Sequence, residues 1–430
     1  MAKTMRAGVV HGFGKPLSIE EIPIPTPGPG EVLIKVVANG VCHTDLHAVE
    51  GDWPVKPALP FVPGHEAAGY VAACGPGVVG LKDGDRVGVA WLHDACGQCE
   101  YCRTGWDSLC YAQHNTGYSV NGGFAEYVIG AAAYVGRLPA HADLAQMAPI
   151  LCAGVTSYKA IKETEALPGQ WLAVSGVGGL GHLAVQYAKA MGLHVAALDV
   201  AEEKLALARA AGADVTVDAK APDAAEQIVR ETGGGAHGVV VTAVSPAAFG
   251  EALKMARRKG TVSLVGLPPG EFPTPIFDVV LNRKTVRGSI VGGREDLAQA
   301  IAFAAEGKVR ADIHKYALAD INAVFADLKA GKINGRAVLM MAQDPGKLAW
   351  QADTSLPTGK GSTLHRFTAR DEGQTFEIDT TPWGEGDLIV DGAKRAHADK
   401  ASEQDAFRDL EAIAEDLDGQ PPQGGQTRKR

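Results

Sequence analysis

The chain has 430 residues, of which 46% are hydrophobic, and its formal net charge at pH 7 is −9. This length exceeds what one ordinary hydrophobic core supports, so we expect two or three folded domains. The negative charge argues against a nucleic-acid-binding protein, and the lack of a long apolar run argues against a membrane span. The N-terminus has no signal-like apolar stretch, which predicts a cytoplasmic protein.

Residues up to about 155 are predicted to be rich in β-strands. Short apolar runs separated by glycine-rich turns indicate strands at Val32–Val37, Gly69–Ala73, Arg86–Ala90 and Ala125–Ile129.

Strands and helices begin to alternate near Gly169. The predicted strands are Trp171–Ser175, His194–Asp199, Asp214–Val217, Gly238–Val244, Thr261–Val265 and Thr285–Ile290. The predicted helices between them are Leu180–Met191, Ala201–Ala211, Asp223–Glu231 and Pro246–Arg257. This alternation predicts an α/β domain with a doubly wound parallel sheet. Two further helices, Glu295–Glu306 and Asp320–Ala330, and a strand at Arg336–Met341 follow.

The composition changes after residue 343, and the segment from 344 to the end carries a net charge of −6. Phe376–Ile378 and Leu388–Val390 are weak strand signals, and Ser402–Leu417 reads as a capped amphipathic helix. Gln420–Arg430 is expected to be disordered. We expect a small extension of uncertain fold, which would mediate assembly, bind another protein or take no part in catalysis.

One cysteine cluster is local in the sequence. Four cysteines occupy fifteen consecutive residues with spacings of two, two and seven: Cys96, Cys99, Cys102 and Cys110. Four thiolates around one Zn²⁺ form a closed, structural site. In a chain without secretion signals, such a cluster indicates a metal site rather than disulfides.

A second set of possible metal ligands is scattered along the chain: Cys42, His65 and Cys152. Two cysteines and one histidine are a known ligand set for catalytic zinc with one open position. Spacing alone does not join these residues. A lone cysteine or histidine is more often a packed core residue than a ligand, so both interpretations stay open at this point.

A glycine motif lies between a predicted strand and a predicted helix, at Gly176–Gly181. The pattern G-x-G-x-x-G permits a tight turn and places a helix N-terminus at a pyrophosphate. Asp199 ends the next strand, 23 residues after Gly176. A carboxylate there accepts from ribose hydroxyls and repels a 2′-phosphate, which favours NAD over NADP.

These motifs together resemble a known family. CHTDLH (Cys42–His47), GHE (Gly64–Glu66), the four-cysteine lobe and GVGGLGH (Gly176–His182) resemble the zinc-containing medium-chain alcohol dehydrogenases. The likeness is to bacterial NAD-dependent enzymes that prefer ethanol or propanol, and it runs from about Met5 to Met341. It implies a GroES-like catalytic domain (1–155, with 294–342 returning to it), a Rossmann domain (156–293) and an extension (343–430) not covered by the resemblance.

The resemblance also implies the reaction and its components. The implied reaction is the reversible oxidation of small primary alcohols to aldehydes, with hydride transfer to NAD⁺. Two zinc ions per chain are implied, one catalytic and one structural. The enzyme would be a homotetramer with a subunit contact at the Thr285–Ile290 sheet edge, and neither nucleic acid nor membrane would be a partner.

Individual roles are carried over from the resemblance to matching positions. Cys42, His65 and Cys152 would hold the catalytic zinc. Thr44 would bond the substrate oxygen, His47 would relay the proton, Asp45 would orient His65, and Glu66 would lie behind the zinc. The expected coenzyme contacts are His43, Gly176, Gly178, Gly179, Leu180, Gly181, Asp199, Lys204, Val265 and Arg336. Trp53 and Trp91 would narrow the substrate pocket, and Cys74 is expected to be buried without a metal partner.

Other interpretations remain at this stage. The helper residues could be ordinary surface or capping residues, and the two tryptophans could belong to separate core patches. A related enzyme acting on a polyol or a cinnamyl-type alcohol is one rival function. A non-catalytic scaffold that binds zinc and nucleotide is another.

Overall fold

The computed structural model describes residues 3–140 and 142–342, and beyond them the strands between 351 and 399 and the single residue Leu410. The chain divides into two compact units. One comprises residues 1–138 and 144–342, and the other comprises residues 139–143 and the chain from 343 on.

The first 150 residues are mainly strands with short helices, as predicted. In chain order they are β1 (Thr4–Val9), β2 (Ser18–Pro23), β3 (Glu31–Val41), α1 (His43–Glu50), β4 (Ala67–Cys74), β5 (Arg86–Val89), β6 (Leu92–Asp94), α2 (Glu100–Arg103), β7 (His114–Asn115), β8 (Tyr127–Ala131), β9 (Gly136–Arg137) and α3 (Leu144–Met147).

Strands and helices then alternate up to residue 340. They are α4 (Ala153–Glu163), β10 (Trp171–Ser175), α5 (Gly181–Ala190), β11 (His194–Asp199), α6 (Glu202–Ala210), β12 (Val215–Asp218), α7 (Ala224–Glu231), β13 (Ala236–Val241), α8 (Pro246–Met255), β14 (Ala256–Leu264), α9 (Ile276–Asn282), β15 (Thr285–Gly288), α10 (Arg294–Ala305), β16 (Ile313–Ala317), α11 (Ile321–Lys329) and β17 (Arg336–Met340).

A six-stranded parallel sheet has the order β12-β11-β10-β13-β14-β15. This is the doubly wound dinucleotide-binding order, in which the direction of winding reverses between β10 and β13. The predicted α/β fold is therefore confirmed. Its core packs apolar side chains of the central strands, such as Val239 and Val241, against Ile228 and Leu253 of the covering helices.

A seven-stranded sheet forms the β-rich part, in the order β16-β17-β3-β4-β5-β9 with β8 paired to β3. The two strands after α10 thus return to the sheet that the N-terminal residues build. β3 is central because its β-branched run is buried on both faces. Its core includes Ile34 and Phe124 together with Ile321 and Phe325 of α11.

Several local predictions differ in detail from the structure. The strand predicted at Ala125–Ile129 is Tyr127–Ala131, and the one predicted to end at Val244 ends at Val241. Cys74 was expected to be buried, but it lies exposed at the end of β4. It lies shortly before the exposed turn at Pro76 and Gly77, and its Sγ contacts the Leu81 carbonyl oxygen at 3.5 Å rather than the core.

The second unit contains an antiparallel sheet in which consecutive strands pair. They are β18 (Gln351–Pro357), β19 (Thr363–Asp371), β20 (Gln374–Thr380), β21 (Glu385–Val390) and β22 (Ala393–Asp399). Both weak strand signals of the extension are confirmed in β20 and β21. The predicted helix Ser402–Leu417 lies outside the described residues except for Leu410, which is helical and buried. The predicted disorder of Gln420–Arg430 also concerns residues outside the description. Along the described part of the chain, no helix has the length and apolar character needed to cross a membrane.

Candidate active site and metal centres

The structure brings the scattered ligand set together. One ligand atom from each of Cys42, His65, Glu66 and Cys152 lies within 4.8 Å of the others, and all four residues are buried. Cys42 lies between β3 and α1, whereas Cys152 immediately precedes α4. The distance from His65 Nε2 to Cys152 Sγ is 3.2 Å. Three separate turns of one sheet-and-helix framework therefore point polar atoms into one small volume.

Asp45 makes hydrogen bonds that position His65 and the backbone next to it. Its Oδ1 lies 2.8 Å from His65 Nδ1 and accepts from the Gly64 backbone N–H, while Oδ2 accepts from the Cys42 N–H at 2.9 Å. A carboxylate on Nδ1 fixes a proton at that nitrogen, so Nε2 is the nitrogen that would bind a metal once it has given up its own proton. Burial opposes protonation of the ring, but the charge and hydrogen bond of Asp45 raise the pKa of His65 well above its usual range.

Glu66 and Arg336 form a buried ion pair beside the cluster. An Arg336 N–H donates to Glu66 Oε1, and both side chains are almost completely buried. Glu66 Oε2 has no hydrogen-bond partner among the described residues. Burial raises the pKa of Glu66 to about 7, although the charge of Arg336 opposes the shift. An unpartnered buried carboxylate oxygen at a ligand cluster is a place where a cation would be stabilised.

Aromatic rings surround the cluster. Trp91 packs edge-on against His65 with centroids 5.4 Å apart, and Trp53 stacks on His47 at 5.3 Å. Trp53 and Trp91 lie 6.3 Å apart, and Tyr118 contacts both. The two tryptophans therefore share one aromatic patch rather than separate core patches. Beside Trp91 opens a cleft of about 300 Å³, including space open to solvent, whose apolar wall includes Leu151, Val155 and Val291.

Helix α1 carries the other predicted helpers. His43 is exposed, whereas Thr44 and His47 are half-buried. His47 Nδ1 lies 3.0 Å from both carboxylate oxygens of Asp52. The helix ends at Gly51, whose left-handed φ of 62° favours glycine and lets the chain turn toward Trp53.

The four cysteines of the lobe also meet. Their sulfurs all lie within 4.8 Å of one another, with Cys96 exposed and Cys102 and Cys110 buried. Backbone N–H groups of Gln98 and Cys99 donate to the Cys96 sulfur and lower the pKa of its thiol to about 6. The lobe is attached to the rest of the unit by Asp107, which accepts from Arg294 Nε at 3.1 Å.

The glycine loop connects β10 to α5 at the sheet position where the winding reverses. Gly176 has a φ of +93°, and a Cβ at Gly181 would lie only 1.9 Å from the Gly176 carbonyl oxygen. A Cβ at Gly178 would meet nothing within 4 Å, so this side of the loop is open. Gly179 packs closely, because a Cβ there would lie 3.0 Å from Cδ of Arg336.

Asp199 lies beside this loop at the end of β11. Its Oδ2 accepts from the Val177 N–H at 2.7 Å, and its Oδ1 accepts from the Ala201 N–H at 3.2 Å. Val265 directly follows β14 at the same carboxyl edge of the sheet. Lys204 lies on the first turn of α6, and Leu180 directly precedes α5. The expected coenzyme residues of the Rossmann part therefore gather along one edge.

Comparisons with known proteins agree with this geometry. Residues 28–140 match the family described as alcohol dehydrogenase GroES-like domain, and residues 179–306 match the zinc-binding dehydrogenase family. An alcohol dehydrogenase of Rhizobium meliloti is 62% identical over 336 residues, which cover 78% of this chain and 98% of that relative.

The chain belongs to the zinc-containing medium-chain alcohol dehydrogenase family. Solved structures agree. The alcohol dehydrogenase of Aeropyrum pernix is similar with a TM-score of 0.72 at 38% identity, covering 78% of this chain and 99% of that one. An acetophenone reductase of Geotrichum candidum, solved in complex with NAD, is similar with a TM-score of 0.70 at 31% identity, covering 79% and 98%. As a member of this family, the chain is an alcohol-oxidising dehydrogenase.

Zinc and NAD are the typical cofactors of zinc-containing medium-chain alcohol dehydrogenases. The donor chemistry of both clusters fits zinc, which takes cysteine sulfur and histidine nitrogen. In the buried cluster, a hydrogen bond between the Cys42 and Cys152 sulfurs holds the pKa of Cys42 well below its usual range and raises that of Cys152. The Cys42 sulfur therefore accepts this hydrogen bond as a thiolate. A cysteine must be deprotonated in this way to bind a metal.

Sequence reasoning assigned no role to three residues at this site. Asp52 faces His47, Tyr118 completes the aromatic patch, and His182 contacts the glycine loop. Asp52 and His182 have a sequence signal, since each lies within five residues of a residue that the motifs single out. Tyr118 has none, because only the fold brings it to Trp53 and Trp91.

Proposed function

We propose that the chain catalyses the reversible oxidation of small primary alcohols, such as ethanol and propanol, to aldehydes, with NAD⁺ as the hydride acceptor. The observation that carries this proposal is the buried Cys42, His65 and Cys152 cluster next to a patch of aromatic side chains. Three protein ligands for zinc leave one position for a small oxygen ligand.

The roles we propose follow from these positions. Cys42, His65 and Cys152 hold a zinc ion, which when bound supplies Lewis-acid polarisation of the alcohol hydroxyl. Thr44 directs the hydroxyl through a hydrogen bond. His47 accepts its proton and releases it toward solvent with Asp52 as its partner. Asp45 orients His65, and Glu66 lies behind the metal position with its free oxygen.

The coenzyme is proposed to lie across the open side of the glycine loop. The N-terminus of α5 faces the pyrophosphate, and the loop residues Gly176, Gly178, Gly179, Leu180 and Gly181 let it approach closely. Asp199 receives the adenosine ribose hydroxyls and disfavours a 2′-phosphate. His43, Lys204, Val265 and Arg336 are the remaining proposed contacts.

Substrate size is proposed to be limited by Trp53 and Trp91. The direct test is the rate of NADH formation with ethanol, 1-propanol, 1-hexanol, 2-butanol and cinnamyl alcohol, each with NAD⁺ and with NADP⁺. We expect ethanol and 1-propanol with NAD⁺ to give the highest kcat/KM. Trp91→Ala should shift the preference to longer alcohols. Best turnover of a bulky secondary or cinnamyl alcohol by the unaltered chain would contradict the small pocket, and no turnover of any alcohol would favour a non-catalytic scaffold.

We further propose the division into a catalytic domain (1–155 and 294–342), a Rossmann domain (156–293) and an extension (343–430) that takes no part in catalysis. The 336 aligned residues already span 98% of the Rhizobium meliloti relative, which supports a complete enzyme without the extension. A variant that ends at Ala342 should retain kcat/KM within about twofold. A loss of activity in a variant that keeps its thermal stability would give the extension a catalytic role.

A homotetramer is the proposed assembly, with a contact at the edge strand β15. Along α9 next to it, Ile276, Phe277, Val280 and Leu281 are between 64% and 81% exposed. Exposed apolar side chains grouped in this way are typical of an interface. Phe277→Glu should lower the mass measured by light scattering, whereas Val79→Glu, at another exposed apolar residue, should not. A cytoplasmic location is also proposed, because free cysteine ligands require a reducing compartment.

A further inference from the structure

Helix α5, which starts at the glycine loop, binds residues 310–312, which precede the strand β16 of the seven-stranded sheet. His182 and Gln186 lie one helical turn apart. The Gln186 side chain donates to the Arg310 carbonyl and accepts from the Arg310 N–H, each at 2.9 Å. The ring of His182 accepts from the Asp312 N–H at 3.2 Å. Two side chains of α5 thus bind the backbone of residues 310–312.

The partners of His182 determine its tautomer. A backbone N–H can only donate, so Nε2, which faces Asp312 N, carries the lone pair. Nδ1 then carries the proton and donates to the Gly178 carbonyl at 3.0 Å. Burial lowers the pKa of His182 to about 4, although the hydrogen bond to Gly178 opposes this shift; the charge of Arg336 also lowers the pKa and that of Asp312 raises it. The ring is therefore neutral near pH 7, as acceptance at Nε2 from the Asp312 N–H requires.

Asp312 in turn positions the arginine of the site. Its carbonyl oxygen accepts from the Arg336 N–H at 2.7 Å. Gly335 before it has a φ of +69°, and a Cβ there would lie 2.3 Å from the same oxygen. The side chain of Arg336 then packs against Gly179 and binds Glu66. A continuous series of contacts therefore leads from Gly178 through His182 and Asp312 to Arg336. Arg336 in turn packs against Gly179, the neighbour of Gly178.

We propose that His182 is a positioning residue for the coenzyme: it ties the Gly178 carbonyl of the glycine loop to the Asp312 backbone, and so holds Arg336 against that loop. The inference rests on the proposed binding of NAD at this loop. Since Gly178 and Arg336 face the place proposed for the pyrophosphate, loosening either contact lowers affinity for the coenzyme more than it changes the chemical step. Loss of one such hydrogen bond corresponds to about tenfold in affinity.

The test is equilibrium binding of NADH to the full-length zinc-loaded protein, followed by nucleotide fluorescence. His182→Leu should raise the Kd about tenfold or more. It should also raise the KM for NAD⁺ while the KM for alcohol stays within about twofold. Gln186→Met is the matched control, because it removes the bonds of α5 to the Arg310 backbone and leaves both His182 bonds, to Gly178 and to Asp312, in place. The Kd of Gln186→Met should stay within about twofold of that of the unaltered chain, even if its thermal stability falls as much as that of His182→Leu.

Two conservative variants separate the contacts of His182. His182→Asn places an amide near Nδ1 and keeps the bond to Gly178, whereas His182→Gln places one near Nε2 and keeps the bond to Asp312. Each should recover part of the affinity that His182→Leu loses, and both keep the inference testable if His182→Leu does not fold. Equal Kd values for the unaltered chain and all three His182 variants would overturn the inference. Absence of NADH binding by the unaltered chain would instead refute the proposed function.

Discussion

The two cysteine-containing clusters differ in how the chain builds them. The lobe takes Cys96, Cys99, Cys102 and Cys110 from fifteen consecutive residues and leaves Cys96 exposed. The other cluster draws Cys42, His65, Glu66 and Cys152 from turns up to 110 residues apart and buries all four. The local cluster needs only its own loop, whereas the buried one exists only when the β-rich sheet and α4 are assembled.

Their surroundings differ in the same way. The lobe supports its sulfur atoms with backbone N–H groups, as at Cys96. The buried cluster is held by charged side chains, Asp45 on His65 and Arg336 on Glu66. Charged groups that are buried away from water interact more strongly than exposed ones, so these pairs keep the cluster residues in a defined geometry. This contrast supports the structural role that we propose for the lobe and the chemical role that we propose for the buried cluster.

The largest effect is expected from removing a ligand of the buried cluster. Cys152→Ala should lower kcat/KM by about a thousandfold or more, since Lewis-acid stabilisation contributes several kcal/mol. Metal analysis should show about one zinc per chain instead of about two. Cys74→Ala, at an exposed cysteine outside both clusters, is the control and should change neither value. Full activity of Cys152→Ala would show that the two clusters have been assigned the wrong roles.

A smaller loss is expected from the carboxylate behind His65. Asp45→Asn removes the charge that orients the ring, and such outer contacts typically contribute 10- to 100-fold in metal affinity or activity, so a loss of about that size should appear in kcat/KM. Asp94→Asn is the matched control, because Asp94 makes the same type of contact, 2.7 Å to His114 Nδ1, at an exposed position. Comparable losses of kcat/KM in both variants would contradict the special role of the buried Asp45–His65 pair.

The lobe should affect stability rather than chemistry. Cys102→Ala should also reduce the zinc content by about one per chain and lower the Tm by roughly 5–10 °C. Its initial kcat, measured before inactivation, should remain within a few-fold of the unaltered chain. An immediate loss as large as that of Cys152→Ala would argue for a direct part of the lobe in catalysis.

The smallest effect is a pH dependence of stability that stems from burial of His182. Burial lowers its pKa to about 4 in the folded protein, against 6.5 in the unfolded chain. Between these values the unfolded chain binds more protons, so the free energy of unfolding falls by about 1 kcal/mol for each pH unit of acidification. Above pH 6.5 both states are neutral and the contribution vanishes.

Urea unfolding at pH 7 and at pH 5 measures this contribution. His182→Leu should lose less stability between the two pH values than the unaltered chain does. Gln186→Met keeps the histidine and should retain the full pH dependence. An unchanged pH dependence in His182→Leu would show that burial of this ring does not lower its pKa in the folded protein.

Much of the architecture could be predicted because it is local. Strands such as Trp171–Ser175 and His194–Asp199 have the predicted bounds, since a buried strand needs only a short apolar run between turns. Strand ends were less predictable: β8 is displaced by two residues because its pairing with β3 sets its bounds. Cys74 was wrongly expected in the core, because the residue type does not reveal that it is the exposed last residue of β4.

The sequence by itself determined the four-cysteine lobe, the glycine loop and the order of strands and helices, because each depends on residues close along the chain. Spacing did not join Cys42, His65 and Cys152, which only the family resemblance implied as one set, and the tertiary structure brings them together. Only the tertiary structure decided that Tyr118 joins Trp53 and Trp91, and that His182 links the glycine loop to Asp312. These contacts join residues far apart in sequence. Spacing carries no information about them until the two sheets have formed and brought their loops together.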